Sequence, residues 1–209
     1  MKNVKLTIVY YSMTGTNFQL ASWAKEAAEA NGAEVRMVKA QEILPKEAMQ
    51  NNPAWLAQAE REKDIKEATS EDLVWADAII FSSPTRFGNV AAQIKQFMDM
   101  QGGIWAEGKL VDKVVSAMSS AQNPHGGQEQ TIQAIYTTMM HWGAIIVPAG
   151  YTDDSIYAAG GNPYGASVTA GRDGMVEDVE AAVKHQAQRT VKIAGLLKLG
   201  KENESSIGK

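Results

Sequence analysis

The spacing of apolar positions along the chain alternates between a period of two and one near 3.6, and each change marks an element boundary. Val4 to Tyr11 is a short run rich in β-branched and aromatic side chains. It stops at Ser12-Met13-Thr14-Gly15-Thr16-Asn17, a cluster of turn and capping residues, so it reads as a buried strand feeding a turn. Leu20, Trp23, Ala24 and Ala27 then recur at i, i+3, i+4 and i+7, with Lys25, Glu26 and Glu29 on other faces, until Asn31-Gly32 supplies a stop. This predicts an amphipathic helix. Ala33 to Val38 alternates apolar and charged residues, the pattern of a half-covered strand near a sheet edge.

The same alternation of strand and helix returns three times. Ala78-Ile79-Ile80-Phe81 precedes a helix from about Gly88, Val114 to Met118 precedes one from about Gln128, and Ala144 to Val147 precedes one from Val176. Helical faces are legible in Val90, Ile94, Phe97 and Met98, and in Val176, Val179 and Val183. Five strands alternating with helices predict an α/β fold with a parallel sheet and right-handed connections. Two stretches exceed ordinary connections. Residues 42–72 carry Pro45, Pro53 and a charged helical run from Trp55 to Lys66, and residues 149–174 are Gly-rich and aromatic. The Glu60 to Glu67 charges read as a solvated helix face. The organisation expected is one domain over 1–199, with those two insertions and a disordered tail at 200–209.

Composition narrows the chemistry. The 209 residues contain no cysteine, which excludes a disulfide framework, a thiolate metal site and a cysteine nucleophile. No metal centre is expected, and redox chemistry would need a bound cofactor. A formal charge of −4 argues against nucleic acid as a direct ligand, which needs clustered Lys and Arg. No apolar run reaches the roughly 18 residues that span a bilayer, so no membrane insertion is expected and a cytoplasmic protein is the default.

In an open parallel sheet, ligands bind beyond the carboxyl ends of the strands. The segment after the first strand, Ser12 to Asn17, lies at a helix N-terminus, where free N–H groups and the macrodipole receive a phosphate monoester well. It has neither a Lys-containing triphosphate loop nor a G-x-G-x-x-G dinucleotide motif. The competing reading is that Ser12, Thr14 and Thr16 only cap a helix. After the third strand comes Ser82-Ser83-Pro84-Thr85-Arg86-Phe87-Gly88-Asn89, and after the fourth Ser119-Ser120-Ala121-Gln122-Asn123-Pro124-His125-Gly126-Gly127. Both loops face the same end of the sheet. His125 and His185 read as surface histidines.

Several segments, in order and over nearly the whole chain, are similar to a known family: Tyr10-Tyr11-Ser12-Met13, Ser83-Pro84-Thr85-Arg86-Phe87-Gly88-Asn89, Gly102-Gly103-Ile104-Trp105, Gly126-Gly127-Gln128-Glu129-Gln130-Thr131, Val147-Pro148-Ala149-Gly150-Tyr151 and Pro163-Tyr164-Gly165-Ala166. The chain resembles flavodoxin-like NAD(P)H:quinone oxidoreductases of the tryptophan-repressor-binding-protein (WrbA) type. The resemblance implies a three-layer sandwich with a five-stranded parallel sheet in the order 2-1-3-4-5. It implies non-covalent FMN with its phosphate on Ser12, Met13, Thr14, Gly15, Thr16 and Asn17. Pro84, Thr85, Arg86, Phe87 and Gly88 would lie along the isoalloxazine, and Ser119, Ser120, Ala121, Gln122 and Asn123 would wrap its other side. His141 and Trp142 stand where the family often has a His pair near the flavin, and Trp105 resembles a tryptophan that closes the pocket of a neighbouring subunit on the substrate side. Thr14 replaces an aromatic residue that many relatives use for nicotinamide, and the Ala121–His125 loop is about one residue longer than usual.

The implied activity is two-electron reduction of a small quinone by NAD(P)H in ping-pong fashion. Flavin N5 carries the chemistry and no protein side chain acts as a catalytic group. The implied assembly is a homotetramer, a dimer of dimers. The alternative is a flavodoxin-type module passing single electrons to a protein partner, supported by Thr14-Gly15-Thr16-Asn17 and the acidic balance.

Overall fold

In the computed structural model, which describes residues 4–172 and 174–207, strands and helices alternate as the sequence pattern requires. The order is β1 (Lys5–Tyr10), α1 (Thr16–Ala30), β2 (Glu34–Lys39), α2 (Lys46–Met49), α3 (Pro53–Arg61), α4 (Ser70–Trp75), β3 (Ala78–Arg86), β4 (Asn89–Val90), α5 (Ala92–Asp99) and α6 (Gly102–Ala106). There follow β5 (Val114–Ala121), α7 (Gln128–His141), β6 (Ile145–Ile146), α8 (Asp154–Ala158), β7 (Ser167–Gly171), β8 (Gly174–Met175) and α9 (Glu180–Ile207).

The spine of the sheet is parallel, in the order β2-β1-β3-β5. Successive residues of β1 point to opposite faces, and this splits the core in two. Leu6, Ile8 and Tyr10 pack with Leu20, Ala24, Val183 and Val191 under α1 and α9. Val9, with Ile79 and Phe81 of β3, packs with Leu73, Ile94, Ile132 and Met139 under α4, α5 and α7. Central strands buried on both faces read as near-continuous apolar runs, which is why β1 and β3 are plain in the sequence. The edge strand β2 is only partly buried, as its alternation predicts.

Three expectations need correction. The sheet has eight strands among the described residues rather than five, because its fifth position is divided. β6 pairs with the start of β5 (Val114↔Ile145), and β7 pairs with its end (Ser119↔Ser167). Pro148 follows β6 closely and cannot donate to a ladder, so the chain leaves the sheet and returns 20 residues later. Two antiparallel hairpin strands, β4 on β3 and β8 on β7, account for the rest. The last helix begins at Glu180 rather than Val176, since the Glu177 carboxylate accepts from Thr169 N and Thr169 Oγ1 (2.6 and 2.8 Å) and holds that stretch to β7. The expected tail is helical through Ile207, continuing α9 beyond the packed Leu197; residues 208–209 lie outside the described residues.

Candidate functional site

The three loops singled out from sequence meet at the carboxyl end of β1, β3 and β5. After β1, Tyr11 N donates to Ser82 O (3.1 Å) and keeps the chain against β3 for one more residue. The turn is closed by Gly15 N donating to Ser12 Oγ (3.1 Å), and Gly15 has φ +102°. No side chain caps α1. The first-turn N–H groups of Thr16, Asn17 and Phe18 therefore lack the side-chain partners that the capping reading requires. Thr14 is exposed. The Asn17 side chain points inward, is 1% exposed, donates to Ser82 Oγ (3.0 Å) and accepts from Ser120 Oγ (2.5 Å). Asn17 and Ser120 thus bolt the start of α1 to β3 and β5, leaving backbone rather than side chain facing the turn.

After Pro84, β3 turns back on itself through a two-residue hairpin, with Thr85 opposite Val90 and Arg86 opposite Asn89. Phe87 and Gly88 both have positive φ, 53° and 78°. This is the handedness of the tight hairpin turn that Asn-Gly favours. A phenylalanine there is strained, and its ring is fully exposed. Arg86 Nη2 reaches Met13 Sδ (3.6 Å), tying this loop to the first. Thr131 Oγ1 donates to Thr85 Oγ1 (2.9 Å), and Ser119 Oγ to Ser83 O (2.9 Å), tying it to β5 and α7. In the third loop Gln128 Nε2 donates to Asn123 O (3.0 Å), and Ala121 is buried while Gln122 and Asn123 are exposed.

The remaining candidates do not join them. α7 starts at this cluster and rises about 1.5 Å per residue, so His141 at its far end is about 20 Å away. Trp142 is buried and packs edge-on against Phe81 (6.4 Å), so its ring serves the core and is not offered to a ligand. This corrects its placement beside the flavin; large aromatics contribute mainly buried area. Trp105 is half-exposed and donates from Nε1 to His141 O (2.9 Å). His125 is exposed, whereas His185 is partly buried and lies 2.8 Å from Thr152 Oγ1, holding the 149–174 insertion to α9.

The first insertion contributes more than sequence reasoning allowed. Glu62, expected on a solvated face, is 6% exposed, and Gln58 one turn before it is 5% exposed. Gln58 Nε2 donates to Glu62 Oε1, and Gln58 Oε1 lies 3.0 Å from where a β-carbon on Gly15 would stand. Burial holds the Glu62 carboxyl above its ordinary range, against the Gln58 amide and the Lys39 and Arg61 charges. Burial and the adjacent Glu62 charge likewise keep the Tyr10 phenol protonated well beyond its usual range. The signal was present in the spacing Trp55, Gln58, Glu62, one helical face shared with a tryptophan that is itself buried.

A separate cavity of about 370 Å³ opens near the amino ends of β3 and β5, lined by Lys109, Lys113, Lys198, Lys201, Asp77 and Asp112 among others. Its charges are engaged internally: Lys198 pairs with Asp77 and Lys201 with Asp112, both at 2.9 Å.

The doubly wound sheet with three polar loops at its carboxyl end defines a flavodoxin-like protein. The structure is similar to that of the WrbA-like flavodoxin from Agrobacterium tumefaciens, with a TM-score of 0.61 and 21% identity over 94% of this chain and 98% of the other. The chain belongs to the NADPH-dependent FMN reductase family, whose model matches residues 4–156. It is 52% identical over 194 residues, 93% of this chain and 97% of the relative, to a Deinococcus radiodurans protein named NAD(P)H dehydrogenase (quinone). A relative of the same name from Aromatoleum aromaticum is 39% identical over 95% of this chain and 99% of its own length. Among the described residues no helix is long and apolar enough to cross a membrane.

Proposed function

We propose that this chain is an FMN-dependent NAD(P)H:quinone oxidoreductase that holds its flavin without a covalent bond. The observation that carries the reading is the meeting of an uncapped α1 N-terminus with a strained, fully exposed Phe87 at one end of the sheet. The donor set fits FMN. A phosphomonoester needs several converging N–H groups, and a flat apolar ring needs an unpartnered aromatic and backbone donors along its polar edge. Two relatives, 52% and 39% identical, are named NAD(P)H dehydrogenase (quinone), which favours this reading over a single-electron module.

When bound, FMN would supply the redox chemistry, namely hydride acceptance from a reduced nicotinamide and two-electron reduction of a quinone to its hydroquinone with proton uptake. The residues of the chain position and stabilise. Backbone N–H groups of Thr16, Asn17 and Phe18 receive the phosphate, with Ser12, Met13, Thr14 and Gly15 shaping the turn. Pro84, Thr85, Arg86, Phe87 and Gly88 would hold one side of the ring, and Ser119 to Asn123 the other. Fixed donors at the polar edge stabilise negative charge there without an acid of their own. No side-chain nucleophile is required.

The reading extends to assembly. Trp105 and His141 form an exposed edge far from their own loop cluster, flanked by exposed Met100 and Met140, so a second copy would bring Trp105 and His141 to the substrate side of the site. A homotetramer built as a dimer of dimers fits this, and the reduced nicotinamide it consumes fits action in the cytoplasm.

Anaerobic stopped-flow tests the function. The FMN-loaded protein is mixed with NADH or NADPH and then with benzoquinone while flavin absorbance is followed. Full bleaching followed by full recovery is expected; tight FMN binding with no bleaching by either nicotinamide would overturn the reading.

A further inference from the structure

The first loop lacks lysine and arginine, so a phosphate dianion received there has no cation from the loop itself. The structure brings one from elsewhere. α3 lies across the N-terminal turn of α1, and Gln58, Arg61 and the C-cap residue Glu62 are the side chains that meet it. Gln58 meets Gly15, Glu62 lies beside Tyr10, and the Arg61 guanidinium stacks over the Phe18 ring, 4.4 Å from its centroid. Phe18 is the third residue of α1 and is itself held edge-on by Tyr10 at 5.8 Å. Arg61 therefore rests on a side chain of the first turn whose N–H groups are uncapped, and it is exposed. Gln58 is nine-tenths buried, and its Oε1 accepts no hydrogen bond among the described residues while facing the Gly15 turn.

We infer that insertion helix α3 completes the phosphate site, with Arg61 supplying the cation for the FMN phosphate and Gln58 holding the Gly15 turn in its receiving shape. This rests on the FMN reading above. A guanidinium fits the role because it remains charged, offers a planar fork of donors to phosphate oxygens, and is steadied by the aromatic face beneath it. A hydrogen bond between charged partners at such a position corresponds to about tenfold in affinity.

The test compares FMN with riboflavin, which shares the ring and lacks the phosphate. Dissociation constants for both are measured by quenching of flavin fluorescence for the unaltered protein, Arg61→Gln, Arg61→Lys and Arg86→Gln. Arg61→Gln is expected to weaken FMN about tenfold and leave riboflavin unchanged, with Arg61→Lys recovering much of the loss. Gln58→Leu, which keeps the volume and removes the amide, is expected to weaken FMN more than riboflavin. Equal weakening of FMN and riboflavin in Arg61→Gln would reduce Arg61 to packing and overturn the inference. So would unchanged FMN binding, or a phosphate-specific loss in Arg86→Gln alone. An unaltered protein that binds FMN no better than riboflavin would instead overturn the assignment of the α1 turn to the phosphate.

Discussion

A β-carbon placed on Gly127 would stand 2.6 Å from the Cα of Gly88, so the third loop and the Phe87-Gly88 hairpin touch backbone to backbone. Gly127 also has φ +93°, a conformation that side chains disfavour. Gly127→Ala must push the hairpin away from α7, and the Thr131–Thr85 hydrogen bond lies next to that contact. Chemical denaturation should show a loss of about 2 kcal/mol or more, and flavin affinity should fall with it. A variant as stable as the parent would mean that the loops can separate freely.

Phe87 presents the opposite case, a residue whose removal should help the fold and harm the site. Its positive φ costs about 1 kcal/mol, and its ring buries nothing within the chain. Phe87→Gly is expected to leave the unfolding free energy unchanged or raised, while FMN affinity falls several-fold. Denaturation curves beside fluorescence titrations separate the two effects.

Asn17 joins α1 to two strands through Ser82 and Ser120 at a fully buried position. Asn17→Ala leaves Ser82 Oγ its bond to the main-chain oxygen of residue 17 but takes from Ser120 Oγ its acceptor, and a buried polar group left unpaired costs about 1 to 3 kcal/mol. Urea unfolding should report a loss of about 2 kcal/mol, in spite of alanine's better helix propensity.

Glu62 makes stability depend on pH in an unusual direction. Its carboxyl is held above the ordinary glutamate value of 4.5, first by burial, so the folded chain retains a proton that the unfolded chain has already released. Stability contributed at this site is complete below that ordinary value and declines as pH rises through the raised one. Glu62→Gln removes the titration. Its thermal midpoint should therefore gain on the parent between pH 4 and pH 8; parallel pH profiles for the two proteins would exclude the effect.

Much of this was legible because burial on both faces makes β1 and β3 continuous apolar runs, and because chain order alone places the loops after them at one end of the sheet. The split fifth position was not legible. Ser167 to Gly171 has the composition of a loop and becomes a strand by pairing with Ser119, Ser120 and Ala121, a contact fixed by the tertiary fold. The resemblance sets His141 and Trp142 where the family often has a His pair, yet neighbours in sequence at a helix end point in different directions, one outward and one into the core. Arg61 and Gln58 act on a turn some 40 residues earlier, and no local pattern announces that contact. Only the shared face of Trp55, Gln58 and Glu62 marks α3 as docked.

The division of the fifth strand position also bears on solubility. A sheet ending in one long strand offers a row of free amides and carbonyls to any other extended chain. Here that border is two residues of β6, an excursion closed at its base by Gly150 N donating to Pro163 O (2.7 Å), and five residues of β7 folded under the β8 hairpin. The opposite border, β2, carries Glu34, Arg36 and Lys39 and is bridged by Glu67. One margin is broken and the other is charged and bridged at Lys39, and both features oppose growth of the sheet by strand addition.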